Sequence, residues 1–434
     1  MKPNQRNLVL IAILALALGL RLFNLGAGDL TTDEAKTALG VAFPHSFLLP
    51  QISVISQKIF GFNEMAARLP FALLGTGAVW LMFIFGRLVK DDKFGLLTAG
   101  LLAVLPGNVI LSRSAYLDIS LVFIWLLLLI AWLIWERQKS LAGWLTLFLI
   151  ILIAPFLKIQ AVYLFFVLFL YLVYQRRGRF WRDERFWLMA VGWLPFLFYF
   201  LSQPQQLYDM KSYITKQIGD ASSLVSFLSN LWQANGILLV ASLGGLGFFV
   251  WRAGIKKQVQ SDADKLMGGF FLLIGLILFF TPNNLYYYVM PDMAVVYFSA
   301  YFITSFKKRT RLVLLTAVCL IINLGLIFTN PNINFACSND SLGYFWQNNQ
   351  REINSLISNG RPVFLDTGLG FTGKWYILQT TYKTDYFVNW RKKNPLAPAW
   401  LVLTKTNYEE NYRQFEVWRD YESVKIIKVL PALK

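Results

Sequence analysis

The sequence predicts an α-helical protein that crosses a membrane many times and carries a small C-terminal α/β domain. Hydrophobic residues make up 56% of the 434 residues, and the mean hydropathy is +0.49. Apolar runs such as "ISLVFIWLLLLIAWLIW" approach or reach the length that crosses a bilayer core of roughly 30 Å. Beyond residue 331 the apolar runs shorten, as in "PVFLD" and "AWLVLTK", which is typical of strands in an α/β domain.

Eleven apolar segments are predicted to span the membrane. They lie at about 7–25, 70–88, 94–112, 119–135, 142–157, 160–175, 186–202, 230–251, 267–281, 286–305 and 311–329. The first segment has no small-residue cleavage site before Arg21, so we expect it to remain as a span. The chain therefore divides into a transmembrane domain, residues 1–331, and a soluble domain, residues 332–434.

The net charge of +17 is concentrated in short loops between the apolar runs, including "GRLVKDDK", "QRRGRFWRDER" and "KKRTR". If the spans alternate in direction, all of these loops lie on one side. This is the positive-inside pattern, which predicts a cytoplasmic N-terminus and an extracytoplasmic C-terminal domain in a cell membrane. The charge therefore indicates topology, and nucleic-acid binding is not expected.

The first outer loop, residues 26–69, carries the strongest candidate chemistry. Its stretch "DLTTDEAKTALG" contains the adjacent carboxylates Asp33 and Glu34. Thr31 and Glu34 have the spacing of a capping box, so these acids are either the start of a helix or a reactive site. Further on, "FLLPQISVISQKIFG" predicts an amphipathic helix along the membrane interface.

Further ionisable groups are expected at the outer ends of the spans. Asp118 is either the N-cap of the fourth span or a site residue, and Arg113 and Lys158 either reach the interface or bind an anion. Asp292 falls inside an apolar run and is expected to have a partner. Tyr287 belongs to an aromatic cluster, "YYY", that is also typical of a membrane interface.

Together these groups suit the transfer of a group from a lipid phosphate. A carboxylate can accept the proton of an incoming hydroxyl, and cations stabilise a departing phosphate. His45 is the only histidine, and alone it cannot build a zinc site. We therefore predict no cofactor; a divalent metal remains possible but is not implied. Glu64 and Arg68 are expected to form a structural charge pair.

One ordered set of motifs resembles a known family. The segments "RLFNLG", "TTDEA", "FGFNEMAARLPFALLG", "SRSAYLDISLVF", "LKIQ" and "YYYVMP" resemble the bacterial branch of the protein O-mannosyltransferase superfamily. Its relatives include the transferases that add aminoarabinose to lipid A. The resemblance implies the GT-C membrane fold and a sugar donor linked to polyprenyl phosphate.

The resemblance also implies roles for individual residues. Asp33 matches the acidic residue that acts as base on the acceptor, with Glu34 beside it, and Asp118 matches a second acidic position. The resemblance places His45, Lys158 and Tyr287 near the donor phosphate. Arg113 is added to this predicted phosphate-binding set because of its charge and its position, and not because of the resemblance. The stretch "SFLLP" after His45 lacks the prolines and tyrosines of the relatives, and isoleucine, where relatives often have glycine, follows Lys158.

The sequence therefore predicts a glycosyltransferase that moves a hexosyl or pentosyl group from a polyprenyl-phosphate donor to a hydroxyl acceptor at the outer membrane face. The acceptor is a protein, a glycolipid or a cell-wall glycan, and the anomeric carbon is inverted. Two alternatives remain open. One is a lipid or solute transporter or flippase, although no repeated halves are visible. The other is a non-catalytic membrane scaffold derived from such an enzyme.

Overall fold

The structure is a computed structural model of the whole chain. It describes residues 2–41, 43, 46, 48–177, 179–202, 224–256, 261–279, 285–306, 309–329, 345–357, 361–366, 376–377, 381–383, 398–412, 415, 417–421 and 424–429. The predicted domain boundary at 331 and 332 lies outside these residues.

The N-terminal part of the chain is helical. Its first ten helices are α1 (Pro3–Leu22), α2 (Thr32–Ala38), α3 (Leu49–Phe60), α4 (Glu64–Val89), α5 (Asp92–Ala103), α6 (Pro106–Ser112), α7 (Ile119–Gln138), α8 (Leu141–Leu157), α9 (Val162–Gln175) and α10 (Glu184–Leu201). Five more follow: α11 (Leu224–Asn235), α12 (Ile237–Gly254), α13 (Asp262–Phe279), α14 (Asp292–Ser305) and α15 (Arg309–Thr329). Short 3₁₀ turns at Ile159–Ala161, Phe180–Arg182 and Leu285–Val289 connect some of them.

Each of the eleven predicted spans overlaps a helix. The spans 94–112 and 230–251 are each divided between two bent helices, and the span 286–305 begins in the Leu285–Val289 turn before α14. Helices α5 and α6 meet at 62°, because Pro106 begins a new helix instead of continuing the old one. Helices α11 and α12 meet at 101° around Gly236, whose φ of 56° favours glycine. Among the described residues, α1, α4 and α7 are each long and apolar enough to cross a membrane, and counting each bent pair as one span makes five.

The C-terminal part is the predicted α/β unit. Helix α16 (Phe345–Ile357) precedes a five-stranded sheet of order β2-β1-β3-β5-β4. The strands are β1 (Val363–Leu365), β2 (Thr381–Lys383), β3 (Ala399–Thr404), β4 (Val417–Asp420) and β5 (Val424–Val429), with a helical turn α17 (Lys405–Asn407) and a π-helical turn Tyr408–Tyr412 after β3. Strand β1 runs parallel to β2 and β3, whereas β5 pairs antiparallel with β3 and β4.

Two apolar cores position the outer loop between the membrane helices and this sheet. The larger core fills the helical part around α4, α5, α7 and α14. A second core joins Leu30, Ala35 and Ala38 of the outer loop to Trp346 and Tyr376 of the C-terminal part. The C-terminal unit is therefore packed directly on helix α2, so it helps to hold the predicted site.

Candidate active site

Helix α2 begins with the capping box that the sequence predicted. The Glu34 amide donates to Thr31 Oγ1 at 3.3 Å, and the Thr31 amide donates to Glu34 Oε2 at 3.0 Å. These reciprocal bonds satisfy two amide groups that the first helical turn leaves unpaired. They also fix which way the two adjacent carboxylates point.

The Glu34 carboxylate is enclosed and saturated with donors. Arg68 Nε donates to Glu34 Oε1 at 2.8 Å, and the Ala115 amide donates to the same oxygen at 2.9 Å. Glu34 is 0% exposed and Arg68 is 2% exposed. A carboxylate with this many donors and no access to solvent is out of reach of an incoming hydroxyl, so the contacts of Glu34 favour a structural role.

Arg68 connects Glu34 to the whole entrance of the outer loop. Its guanidinium also donates to the carbonyl oxygens of four loop residues, at 2.8–3.2 Å: Leu25, Ala27, Gly28 and Asp29. The expected pair between Arg68 and Glu64 was wrong, because this guanidinium is drawn into the loop. Glu64 instead accepts a hydrogen bond from the Tyr376 hydroxyl at 2.9 Å.

Asp33 lies under opposite conditions. Consecutive side chains on a helix point about 100° apart, so the Asp33 side chain points away from the buried Glu34–Arg68 pair. Its side chain is 45% exposed, and its Oδ1 lies 2.9 Å from Lys36 Nζ, a lysine that is itself partly exposed. Asp33 is therefore a carboxylate that an incoming hydroxyl can reach.

Asp118 and Lys158 form a buried ion pair between the start of α7 and the end of α8. Lys158 Nζ lies 2.9 Å from Asp118 Oδ1, and both side chains are almost fully enclosed. Burial raises the pKa of Asp118; Lys158 opposes this shift, and the nearby charge of Asp33 adds to it. The structure therefore brings Asp33, Asp118 and Lys158 into one electrostatic environment, which we call the acidic site. Asp118 occupies the N-cap position of α7 without a capping hydrogen bond from its side chain.

His45 lies outside the described residues, but its neighbour Ser46 is described. Ser46 Oγ donates to the Leu157 carbonyl at 2.6 Å. Two residues later, the Leu48 amide donates to the Phe156 carbonyl at 3.4 Å. The outer loop is therefore attached to α8 at the residues that directly precede Lys158.

The two remaining predicted phosphate ligands have different surroundings. Arg113 Nη1 donates to the Leu20 carbonyl at 3.0 Å and to the Phe23 carbonyl, which attaches the end of α6 to the end of α1. Its contacts favour a structural role. Tyr287 is buried in the Leu285–Val289 turn, which packs against α6 and α11.

Three residues that contact the outer loop beside the site were not singled out from the sequence: Tyr116, Trp346 and Tyr376. The Tyr116 and Thr31 hydroxyls lie 3.2 Å apart, and Tyr116 stands in the quoted motif "SRSAYLD", so it had a local signal. The Tyr376 hydroxyl accepts from the Leu30 amide at 3.1 Å while donating to Glu64, and Asp29 Oδ2 accepts from the Trp346 amide at 2.8 Å. Tyr376 and Trp346 had no local signal, since their partners are about 300 residues away.

The expected partner of Asp292 is confirmed, and it belongs to a buried polar cluster. Asn108 Nδ2 donates to Asp292 Oδ2 at 2.9 Å, and Asn108 Oδ1 accepts from Arg21 Nη2 at 2.7 Å. Arg21 Nε donates to Ser112 Oγ at 3.2 Å. This cluster joins α1, the broken α5–α6 pair and α14, so it stabilises the helix break.

In the described part of the chain, no three metal-binding side chains of histidine, cysteine, aspartate or glutamate come together. The acidic site consists of two carboxylates and one lysine. Such a set supplies a base and a cation without further ligands.

Comparisons with known proteins agree with this architecture. The sequence profile of the dolichyl-phosphate-mannose-protein mannosyltransferase family matches residues 44–202. No curated protein sequence matches the chain. The chain has the fold of the GT-C membrane glycosyltransferases, as predicted, because two crystal structures of ArnT from Cupriavidus metallidurans superpose over nearly their whole length.

The apo ArnT structure gives a TM-score of 0.71 at 14% identity, covering 96% of this chain and 97% of ArnT. The form bound to undecaprenyl phosphate gives 0.70 at 13% identity, covering 97% and 98%. The apo oligosaccharyltransferase of Archaeoglobus fulgidus gives 0.64 at 10% identity, covering 94% of this chain and 70% of that protein. The fold similarity therefore extends into the C-terminal domain, where the sequence resemblance was weakest. The apolar helices of this chain, at least three of which are long enough to cross a membrane, support a multi-pass membrane protein.

Proposed function

We propose that this protein is a membrane glycosyltransferase that moves a sugar from a polyprenyl-phosphate donor to a hydroxyl acceptor at the outer membrane face. The observation that carries the proposal is the acidic site: an accessible Asp33 beside a buried Asp118–Lys158 pair. The GT-C fold supports the same class, since one similar structure holds undecaprenyl phosphate and another is a complex with an inhibitory peptide and a dolichol-phosphate.

In the proposed reaction, Asp33 accepts the proton of the acceptor hydroxyl as its oxygen attacks the anomeric carbon. The bond between that carbon and the phosphate oxygen breaks, and polyprenyl phosphate leaves with the electron pair. Lys158 stabilises the charge that develops on the phosphate, and Asp118 holds the lysine ammonium in position. A single displacement inverts the anomeric carbon and requires one base.

An apolar groove offers room for the lipid tail. A cavity of about 460 Å³ is lined by α11, α12 and α13 and by Pro291, which follows the Tyr287 turn. Its walls are leucine and phenylalanine side chains, which suit an isoprenoid chain. The sugar and the acceptor are not defined by these contacts.

Donor consumption tests the proposal. The purified full chain in detergent is incubated with a panel of radiolabelled polyprenyl-phosphate sugars, and released polyprenyl phosphate is measured. Asp33→Asn is expected to lower turnover by about 10²–10⁴-fold, because the amide cannot accept the proton. Asp420→Asn is the matched control, since Asp420 is also an exposed aspartate paired with one lysine. If a folded wild-type protein turned over no donor, the scaffold alternative would replace this proposal.

A further inference from the structure

The loop between α9 and α10 builds a cationic cavity at the end of α9 that is opposite to Lys158. Lys158 precedes α9, whereas Arg176 follows it, and 14 helical residues separate the two ends by about 21 Å. The cavity has a volume of about 570 Å³ and is lined by Gln175, Arg176, Arg177, Arg179, Arg182 and Asp183. The cavity is therefore distinct from the acidic site and from the groove between α11, α12 and α13 that is proposed to hold the donor lipid tail.

The single carboxylate in this cavity is already neutralised. Arg185 Nε and Nη2 donate to the two oxygens of Asp183, each at 2.8 Å, and Arg176 lies 2.7 Å from Asp183. Arg185 is buried, and its guanidinium carbon stands 4.7 Å from the centre of the Trp132 ring. The loop is thus held firmly to α7, and its remaining charge is positive.

The other three arginines keep their charge available. Arg177, Arg179 and Arg182 are exposed, and within the described ranges none of them forms an ion pair with a carboxylate. Arg177 adopts a left-handed backbone with φ of 46°, which is uncommon for a residue other than glycine. The turn therefore directs several guanidinium groups into one small volume, where they suit a phosphate.

Aromatic residues place this cavity at the depth of lipid headgroups. Trp181 and Trp187 are half exposed, and Trp187 Nε1 donates to the Trp181 carbonyl at 2.8 Å. Phe180 packs edge-on against Phe186 in the same loop. Tryptophan is enriched at the boundary between bilayer and water, so the arginines lie where headgroups lie.

An apolar groove adjoins the cationic cavity on the membrane side. It has a volume of about 590 Å³ between α9, α12 and α13, with Val167, Leu170, Phe249 and Leu273 among its walls. Tyr174 closes the groove, and the next residues, Gln175 and Arg176, already line the cavity. Lys265 lies at the same end, 5.7 Å from the centre of the Tyr174 ring.

We propose that the cavity and the groove together bind one anionic phospholipid of the surrounding membrane, with its phosphate on Arg177, Arg179 and Arg182 and an acyl chain in the groove. Basic pockets between membrane helices on the positive side recognise anionic headgroups. The occupant is a membrane phospholipid because the groove opens at the level of the bilayer and the loop carries an interfacial tryptophan pair. The site does not depend on the proposed transferase activity.

Lipid binding by the purified full chain tests this proposal. Native mass spectrometry in detergent measures retention of phosphatidylglycerol and of phosphatidylcholine with the same acyl chains. We expect one phosphatidylglycerol per chain, bound at least tenfold more tightly than phosphatidylcholine. The triple variant Arg177→Gln, Arg179→Gln, Arg182→Gln is expected to lose that preference. Glycerol phosphate should not compete, because it has no acyl chain.

Two further variants separate a built site from a general surface charge. The triple variant Lys93→Gln, Lys139→Gln, Lys256→Gln removes the same charge from other loops on the predicted same side, and it should change the affinity less than twofold. Gly269→Phe fills the groove without changing charge; the nearest atom to an added Cβ is Val167 Cγ1 at 3.9 Å. It should weaken binding at least fivefold.

Three results would overturn the proposal. Equal loss of binding in both triple variants would show a diffuse surface potential. Full binding in Gly269→Phe would exclude the groove. Polyprenyl phosphate that binds more tightly than phosphatidylglycerol, and that loses this binding in the triple arginine variant, would assign the site to the donor lipid or its product instead.

Discussion

Two carboxylates that are adjacent in the sequence serve two different regions of this molecule. Glu34 is fully buried and receives hydrogen bonds from Arg68, Thr31 and Ala115. Asp33 is half exposed, its charge acts on the Asp118–Lys158 pair, and among the described residues its carboxylate pairs with Lys36 of its own helix. The difference teaches that acid identity and spacing do not define a catalytic residue. Access to solvent and the number of donors decide which carboxylate is available for proton transfer.

The largest effect is expected from breaking the buried region. Arg68→Met leaves the Glu34 charge enclosed without its partner, which typically costs about 3–5 kcal/mol. The unfolding midpoint of the purified protein in detergent measures this loss. Arg87→Met is the matched control on the same helix, because the Arg87–Asp92 pair is exposed and is worth about 0–1 kcal/mol. Equal midpoints for the two variants would contradict the structural role of Arg68.

The Asp118–Lys158 pair is expected to behave as one unit. Lys158→Met alone leaves a buried carboxylate, so it should destabilise the protein by about 3 kcal/mol. Adding Asp118→Asn should restore part of that stability, with a coupling of about 1–3 kcal/mol in a double-mutant cycle. If the losses of unfolding free energy in the two single variants simply added up in the double variant, the pair would not interact. Donor turnover should stay low in Lys158→Met, in Asp118→Asn and in the double variant.

A smaller effect is expected from the contact between the two domains. Tyr376→Phe removes the hydroxyl that joins Leu30 to Glu64. Burial, together with the nearby charges of Asp29 and Glu64, raises the pKa of Tyr376, so its hydroxyl stays protonated and donates to Glu64. We expect a loss of about 1–3 kcal/mol and lower donor turnover, because α2 loses a support.

Tyr408→Phe is the control for that variant, since the Tyr408 hydroxyl bonds only within the C-terminal part, to the Phe415 carbonyl at 3.2 Å among its described hydrogen bonds. It should lower stability with unchanged turnover per folded molecule. If Tyr376→Phe and Tyr408→Phe lowered donor turnover equally, the contact between Tyr376 and the outer loop would not explain the loss of turnover.

The smallest effect is expected at the partly exposed Asp33–Lys36 pair of α2. Lys36→Met removes the partly exposed partner of Asp33, and such pairs contribute about 0.2–1 kcal/mol. The unfolding midpoint should hardly move. A midpoint loss as large as that of Arg68→Met would show that the Asp33–Lys36 pair is not exposed.

Local chemistry made much of this structure predictable from the sequence. The capping box at Thr31 and Glu34 depends on residues three positions apart, and it is present as predicted. The helix over residues 49–60 and the strands β1 and β3 of the C-terminal sheet follow from short apolar patterns within single segments. The sequence also indicated that Asp292 needs a partner, since a charge in an apolar run is costly.

Long-range pairing was beyond the reach of the sequence. Asp292 meets Asn108, which is 184 residues away, and Tyr376 meets Glu64 across 312 residues. The prediction that Arg68 pairs with Glu64 was wrong because it considered only their spacing along α4. The Arg68 guanidinium instead bonds to Glu34 and to the loop carbonyl oxygens, which are distant in the sequence. Nothing local distinguishes these outcomes.

By itself, the sequence determined a polytopic helical protein with a small α/β domain and an acidic outer loop, because hydropathy, periodicity and capping act over a few residues. Only the tertiary structure decided that Glu34 is enclosed, that Asp33 stays accessible beside Asp118 and Lys158, and that Tyr376 braces the loop. The physical reason is that burial and hydrogen-bond partners arise where distant helices pack, and these contacts set how each carboxylate behaves.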